Sequence, residues 1–149
     1  MTATDIKGLG VSTTSVDGLT AYERGLDLFL RWRTGSLEAL DAAAQYDPRF
    51  ALAHCTKAYI AWRMGRADLA TAAARQATAL ADEARHERER LHVRAVDAMQ
   101  RGDHPTTYGV LGQIAARYPT DRIAVRIIGV NCITQGDYRG GIDIARRSL

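Results

Sequence analysis

The sequence predicts an all-α chain built from helix pairs, and three observations of spacing predict it. Gly65, Gly102 and Gly136 follow one another after 37 and 34 residues, and Pro48 and Pro119 stand 71 apart, the same distance as the outer two glycines. Ala58, Ala95 and Gly129 each lie seven residues before one of those glycines. The stretches around these markers, DPRFALAHCTKAYIAWRMGR and YPTDRIAVRIIGVNCITQGD, share little else.

Shared punctuation without shared wording is what helix-pair geometry requires. Two helices approach closely only where small side chains face each other, which places Ala58, Ala95 and Gly129 on the first helix of each pair and Ala70 and Gly141 on the second. Glycine ends a helix cheaply in the left-handed conformation, and proline stops one because it lacks the N–H and clashes with the preceding turn. A repeat near 34 residues, made of two helices and a turn, is the tetratricopeptide period. The expected architecture is a tetratricopeptide-type α-α superhelix of about four helix pairs. It follows a lead segment over 1–16, with approximate repeats 17–48, 49–84, 85–119 and 120–149.

The first pair is predicted over Leu19 to Arg33 and Leu37 to Tyr46, with RTGS between them. The second covers Phe50 to Met64 and Ala67 to Ala84; its back helix, ADLATAAARQATALADEA, is rich in strong helix formers. The third covers Glu87 to Arg101 and Pro105 to Tyr118, where Pro105 suits a first helical turn. The fourth covers Arg122 to Thr134 and Tyr138 to Leu149, and the longer 37-residue step implies about one extra turn around Glu83 to Glu87. The last helix carries adjacent Gly140 and Gly141, and Ile142, Ile144 and Leu149 give it apolar surface with no polar cap. Terminal repeats need such a cap. The array is therefore expected to be incomplete at its carboxyl end, or to self-associate through Tyr138–Leu149.

Composition narrows the function classes. With 46% hydrophobic and 25% charged residues, disorder is not expected. No apolar run approaches the roughly 20 residues that cross a bilayer, and MTATDIKGLGVSTTS lacks the blocks of a secretory signal. A cytoplasmic location and no membrane partner follow by elimination. Cys55 and Cys132 read as free thiols in helices rather than a disulfide. The net charge is +3, but in EARHERER and elsewhere acids alternate with arginines. Helical neighbours of this kind neutralise one another instead of forming a cationic stripe, so nucleic acid is not expected.

GLGVSTTS, AYERGLDLFLRWRTG, DPRFALAH, ERERLHVRAV and YPTD together resemble the amino-terminal part of the tetratricopeptide repeat protein 38 family, over nearly the whole chain up to about Val125. The resemblance implies an α-helical superhelix of unassigned biochemical role, in a longer protein.

No motif announces a chemistry. His86 and His92 are six apart, about 600° around a helix, and point to divergent faces. Glu89 and His92 have no second carboxylate–histidine helix to complete a di-metal site. RGD at 101–103 reads as an inter-helix turn, and no serine or cysteine has a histidine and an acid placed to activate it. Neither catalytic residues, metal nor cofactor is expected. What remains is a concave groove lined by the inner faces of the first helices. The positions are Leu52, Cys55, Tyr59, Trp62 and Arg63, then Glu89, His92, Val96, Met99 and Gln100, then Ile123, Arg126, Val130, Ile133 and Thr134. Of these, Cys55, Tyr59, Trp62, Arg63, His92, Val96, Met99, Arg126 and Val130 are the expected contacts for a protein or peptide segment. The preferred reading is a non-enzymatic interaction scaffold. One alternative is a sensor or regulatory portion of a longer regulator or enzyme. Another use of the groove also stays open, in which later repeats or the amino-terminal segment fill it as core.

Overall fold

The computed structural model describes residues 3–149. A small antiparallel hairpin opens the chain: β1 (Ala3–Thr4) pairs with β2 (Gly10–Val11). Eight α-helices then follow among the described residues. They are α1 (Val16–Leu30), α2 (Ser36–Tyr46), α3 (Ala51–Arg63), α4 (Ala67–Ala79), α5 (Glu87–Gln100), α6 (His104–Arg117), α7 (Arg122–Thr134) and α8 (Tyr138–Ser148). Odd and even helices form hairpins, each even helix packs on the odd helix that follows, and α3 also packs directly on α5.

The turns show why the period exists. Gly65, Gly102 and Gly136 all have φ between 71° and 76°. In each case the glycine N–H reaches the carbonyl three residues back, and the next N–H reaches the carbonyl five back: Trp62 and Ala61, Met99 and Ala98, Ile133 and Cys132. The last carbonyls of the helix are thereby satisfied. The first pair has the same two bonds, from Trp32 to Phe29 and from Arg33 to Leu28, but its left-handed residue is Trp32, at φ 58°. The predicted first helix is corrected here, since it ends at Leu30 and not at Arg33.

In the first three pairs the small residues keep the same register. Ala58 and Ala95 are fully buried. Gly25, seven residues before Trp32, occupies that place in the first pair, where a β-carbon would stand 2.9 Å from Leu40 Cγ and 3.1 Å from the Ser36 carbonyl. In the fourth pair the expected close approach at Gly129 is not made: a β-carbon there would meet nothing within 4 Å, and one on Gly141 would touch Cys132 at an ordinary 3.5 Å.

The second correction concerns the extra residues of the longer step. The predicted helix to Ala84 stops at Ala79, and Ala81–Glu83 forms a single 3-10 turn. The Arg90 side chain then holds the Ala84 and Arg85 carbonyls at 3.1 and 2.7 Å. The chain there leaves helical geometry, and the amino-terminal segment docks on it, with Ser12 Oγ accepting from the Arg85 N–H at 2.8 Å. One continuous core runs from α1 to α7, whereas α8 has no buried residue, leaving Ile142, Tyr138 and Leu149 exposed.

Ala58→Leu should destabilise the fold by more than about 1 kcal/mol, because overpacking a tight contact costs about 1–3 kcal/mol. Arg75→Ala, on an exposed position of α4, should shift the melting temperature little. Equal shifts in thermal melts of the two variants would refute the assigned register.

Candidate functional site

The expected open groove is not there. The inner helices α1, α3, α5 and α7 converge, and α1 reaches α7 through the Glu23–Arg122 ion pair and through Trp32, over whose ring the Arg126 guanidinium lies at 4.6 Å. First and fourth pairs therefore touch, and the space between them fills. Cys55, Tyr59, His92 and Val96 have no exposed surface, and Met99 is 8% exposed. Trp62 turns instead toward α6, stacked on His104 at 5.7 Å and tilted against Tyr108 at 6.0 Å. These six of the nine expected contacts are thus core or packing residues. Arg63, Arg126 and Val130 alone line an open pocket.

A buried polar network ties the closed centre together. Asp121 caps α7, its Oδ1 accepting from the Ala124 N–H at 2.9 Å. Its Oδ2 accepts from His92 Nε2 at 2.9 Å and from Arg88 Nη1 at 2.8 Å. Tyr59 Oη lies 3.1 Å from both His92 Nδ1 and the His92 carbonyl. Arg88 Nη2 extends the network to Asp5 at 3.3 Å and to the Gly10 carbonyl at 3.1 Å. Beside it, the Ser12 N–H donates to buried Glu89 at 2.9 Å, and Thr13 bonds Asp47. The lead segment is thus strapped across the amino-terminal ends of the inner helices.

Burial alone would raise the Asp121 carboxyl, but His92 and Arg88 outweigh it and hold the group well below the usual carboxylate range. Burial pushes the Tyr59 hydroxyl and the Cys55 thiol up, the nearby Glu89 adding to the effect on Cys55. The thiol stays protonated at neutral pH, so Cys55 supplies neither a nucleophile nor a soft metal ligand. Tyr59, His92 and Asp121 have the residue types of a catalytic relay, yet a substrate has no access to them, and the relay serves as structure.

The open pocket lies at the opposite end, where α1 and α3 finish and α2 and α4 begin. It encloses about 540 Å³ between Phe29, Trp32, Arg33, Leu37, Glu38, Arg63, Met64, Arg66, Arg126, Ile127 and Val130, among others. Its floor is apolar and its rim carries four arginines, none of which has an ion-pair partner among the described residues. Trp32 is 81% exposed. A bulky residue in the left-handed region costs roughly 1–2 kcal/mol, and here no burial offsets that cost. The sequence pattern does not single Trp32 out, because its left-handed backbone is hidden until the turns are superposed on the period. The signal that could have found it is that Trp32 stands 33 residues before Gly65 and seven after Gly25.

Among the described residues no group of three or more His, Cys, Asp and Glu side chains could hold a metal ion, and no helix is long and apolar enough to cross a membrane. Neither a model of a known protein family nor a curated protein matches the chain.

Asp121→Asn should cost about 3–5 kcal/mol, the usual result of removing one partner from a buried charged set, whereas Asp27→Asn at the exposed Arg31 pair should cost less than about 1 kcal/mol. The sign with pH follows from the lowered carboxyl. An unfolded aspartate titrates near about 3.9, so the stabilisation is complete above that pH and is lost as pH falls toward the lower folded value. Urea melts from pH 6 to pH 3 should show a steeper acid loss for the wild type than for Asp121→Asn. Parallel slopes would remove Asp121 from this role.

Proposed function

We propose that the chain is a non-enzymatic binding module of the tetratricopeptide type, and that it holds a segment of a partner protein at the pocket between the carboxyl ends of α1 and α3 and the middle of α7, not along a concave groove. The helix pairs, their common turn and the small-residue register support the repeat type. The observation that carries the docking reading is Trp32, a large side chain kept exposed on a strained backbone over an apolar floor. Exposed aromatic and arginine side chains are the residue types that anchor interfaces. A pocket of this size suits a few side chains of an extended segment. The two free thiols, Cys55 and Cys132, suit a reducing compartment such as the cytoplasm.

A photo-crosslinking residue in place of Met64, at the exposed lip of the pocket, tests this directly. A protein partner should crosslink there by mass spectrometry, and Arg126→Glu should abolish the crosslink with the melting temperature nearly unchanged. Tyr59→Ala should instead destabilise the fold by about 3–5 kcal/mol, as truncation of a buried aromatic does. Absence of any crosslink at this lip would end the docking reading.

The unburied α8 favours a second reading beside it. Val130, Ile133, Tyr138 and Ile142 border an open apolar cleft between α7 and α8, which suits self-association through Tyr138–Leu149. Sedimentation should show a mass that rises with concentration and falls to the monomer value in Ile142→Glu. A monomer at all concentrations would exclude it.

A further inference from the structure

We infer that the pocket recognises an acidic, extended segment of a partner protein, with the partner's carboxylates on Arg33, Arg63, Arg66 and Arg126 and one of its apolar side chains on the floor below Trp32. This rests on the docking reading above and adds the chemistry of the occupant.

The argument comes from comparing the chain with itself. At the end of each inner helix two residues repeat in register: Trp32-Arg33, Gly65-Arg66, Gly102-Asp103 and Gly136-Asp137. In the third and fourth pairs both residues serve the backbone. The glycine takes the left-handed turn, and the aspartate caps the next helix, Asp103 Oδ1 accepting from the Thr106 N–H at 3.2 Å and Asp137 Oδ1 from the Gly140 N–H at 2.9 Å. In the first two pairs the same slots hold Trp32, Arg33 and Arg66, and all three line the pocket. Arg66 is the N-cap of α4 and makes no capping bond. A cation is electrostatically misplaced at a helix N-terminus, and arginine is a poor N-cap where aspartate is among the best. Helix-end electrostatics explains arginine at the ends of α1 and α3, but not Arg66. The departures from the chain's own cheaper pattern coincide at one place, and what they add there is an aromatic face and positive charge.

Among the described residues the charge has no internal ion-pair partner. Glu38 is the only acid of them on the pocket wall, against four arginines whose guanidinium groups donate to no protein acceptor. Guanidinium forks match carboxylates in two-bond geometry. Arg126, stacked on Trp32 by one face, keeps its N–H edge free for such a bond. A single-stranded nucleic acid fits less well, because it asks for cations along a track with several stacking aromatics. Here the cations converge on one cavity with one exposed tryptophan.

Calorimetric titration of the intact chain tests the proposal with nine-residue peptides blocked at both ends. Each has a central leucine among glutamates, glutamines or lysines, and a single-stranded oligonucleotide of the same net charge as the glutamate peptide is run beside them. The glutamate peptide should bind at least tenfold more tightly than the glutamine peptide and weaken as salt is raised. Trp32→Gly and Arg66→Asp should each weaken it at least tenfold while raising the melting temperature by about 2–4 °C, a combination that a structural role would not produce. Arg75→Ala should leave both readings unchanged. Equal binding of glutamate and glutamine peptides would overturn the acidic specificity, and sensitivity of both to Trp32→Gly would still leave the docking reading standing. An oligonucleotide that binds as tightly as the glutamate peptide, or a lowered melting temperature in Trp32→Gly, would also overturn it. If no peptide binds and the Met64 position gives no crosslink, both readings fall.

Discussion

The structure depends on how Asp121 uses its two oxygens. One caps α7, and the other holds His92 and Arg88 inside a site from which water is excluded. Buried ions are costly unless every one is paired and hydrogen-bonded, so this carboxylate fixes where its neighbours can be. It sets α7 against α5, and Tyr59 on the far side of His92 sets α3 in turn. Arg88 carries the constraint to Asp5 and the Gly10 carbonyl and so pulls the amino-terminal hairpin onto the same centre. Apolar packing alone would tolerate small slides between helix pairs, as repeat arrays built on nearest-neighbour contacts do. Directed hydrogen bonds among Tyr59, His92, Asp121 and Arg88 do not, even though Arg88 Nε is left without a partner, and they hold α3, α5 and α7 in one register at this centre.

Closure gives the array two unlike ends. At the amino-terminal ends of the inner helices the charges are spent internally: Asp5 and Asp121 on Arg88, Glu89 on Ser12, Asp47 on Thr13 and Glu23 on Arg122. The hairpin covers that end. At the opposite end Arg33, Arg63, Arg66 and Arg126 meet with a single acid among them. The net charge of +3 says little about this, because the asymmetry lies in where pairing occurs and not in how many charges there are.

The helices were legible in the sequence because their punctuation is local. A glycine at positive φ and a small residue seven before it each answer a nearby steric demand, and the period exposes them. The all-helical fold and most boundaries followed from such markers, and they erred where the governing contact was distant. Residues 80–84, which would have continued α4, instead follow the Ser12 and Arg90 bonds, and the end of α1 is set by a turn with no glycine to announce it. The groove failed for a related reason. Cys55, Tyr59, His92 and Val96 are buried instead of lining an open surface, and whether such a face is open depends on contacts between the first and fourth pairs. Glu23 and Arg122 are 99 residues apart, and no local pattern links them. Of the expected contacts, Arg63 at the end of α3 is exposed, and Arg126 and Val130 on α7 stay half-exposed because they border the pocket.

On the proposed docking reading the two ends also divide stability from recognition. The sealed end is built of interactions that are satisfied within the chain, and a substitution there is felt as lost folding free energy. The open end contains choices that the fold itself does not favour. Trp32 takes a backbone conformation that glycine takes in the other three pairs, and Arg66 takes a cap position that aspartate fills in two of them. A fold optimised only for its own stability would use the cheaper residues at these places, as this chain does elsewhere. Strained or uncapped positions persist where the surrounding structure can carry their cost, and the closed, network-locked centre is what carries it here. The network at the Asp121 end and the strained Trp32 and uncapped Arg66 at the pocket are therefore two sides of one arrangement, the first carrying the cost of the second.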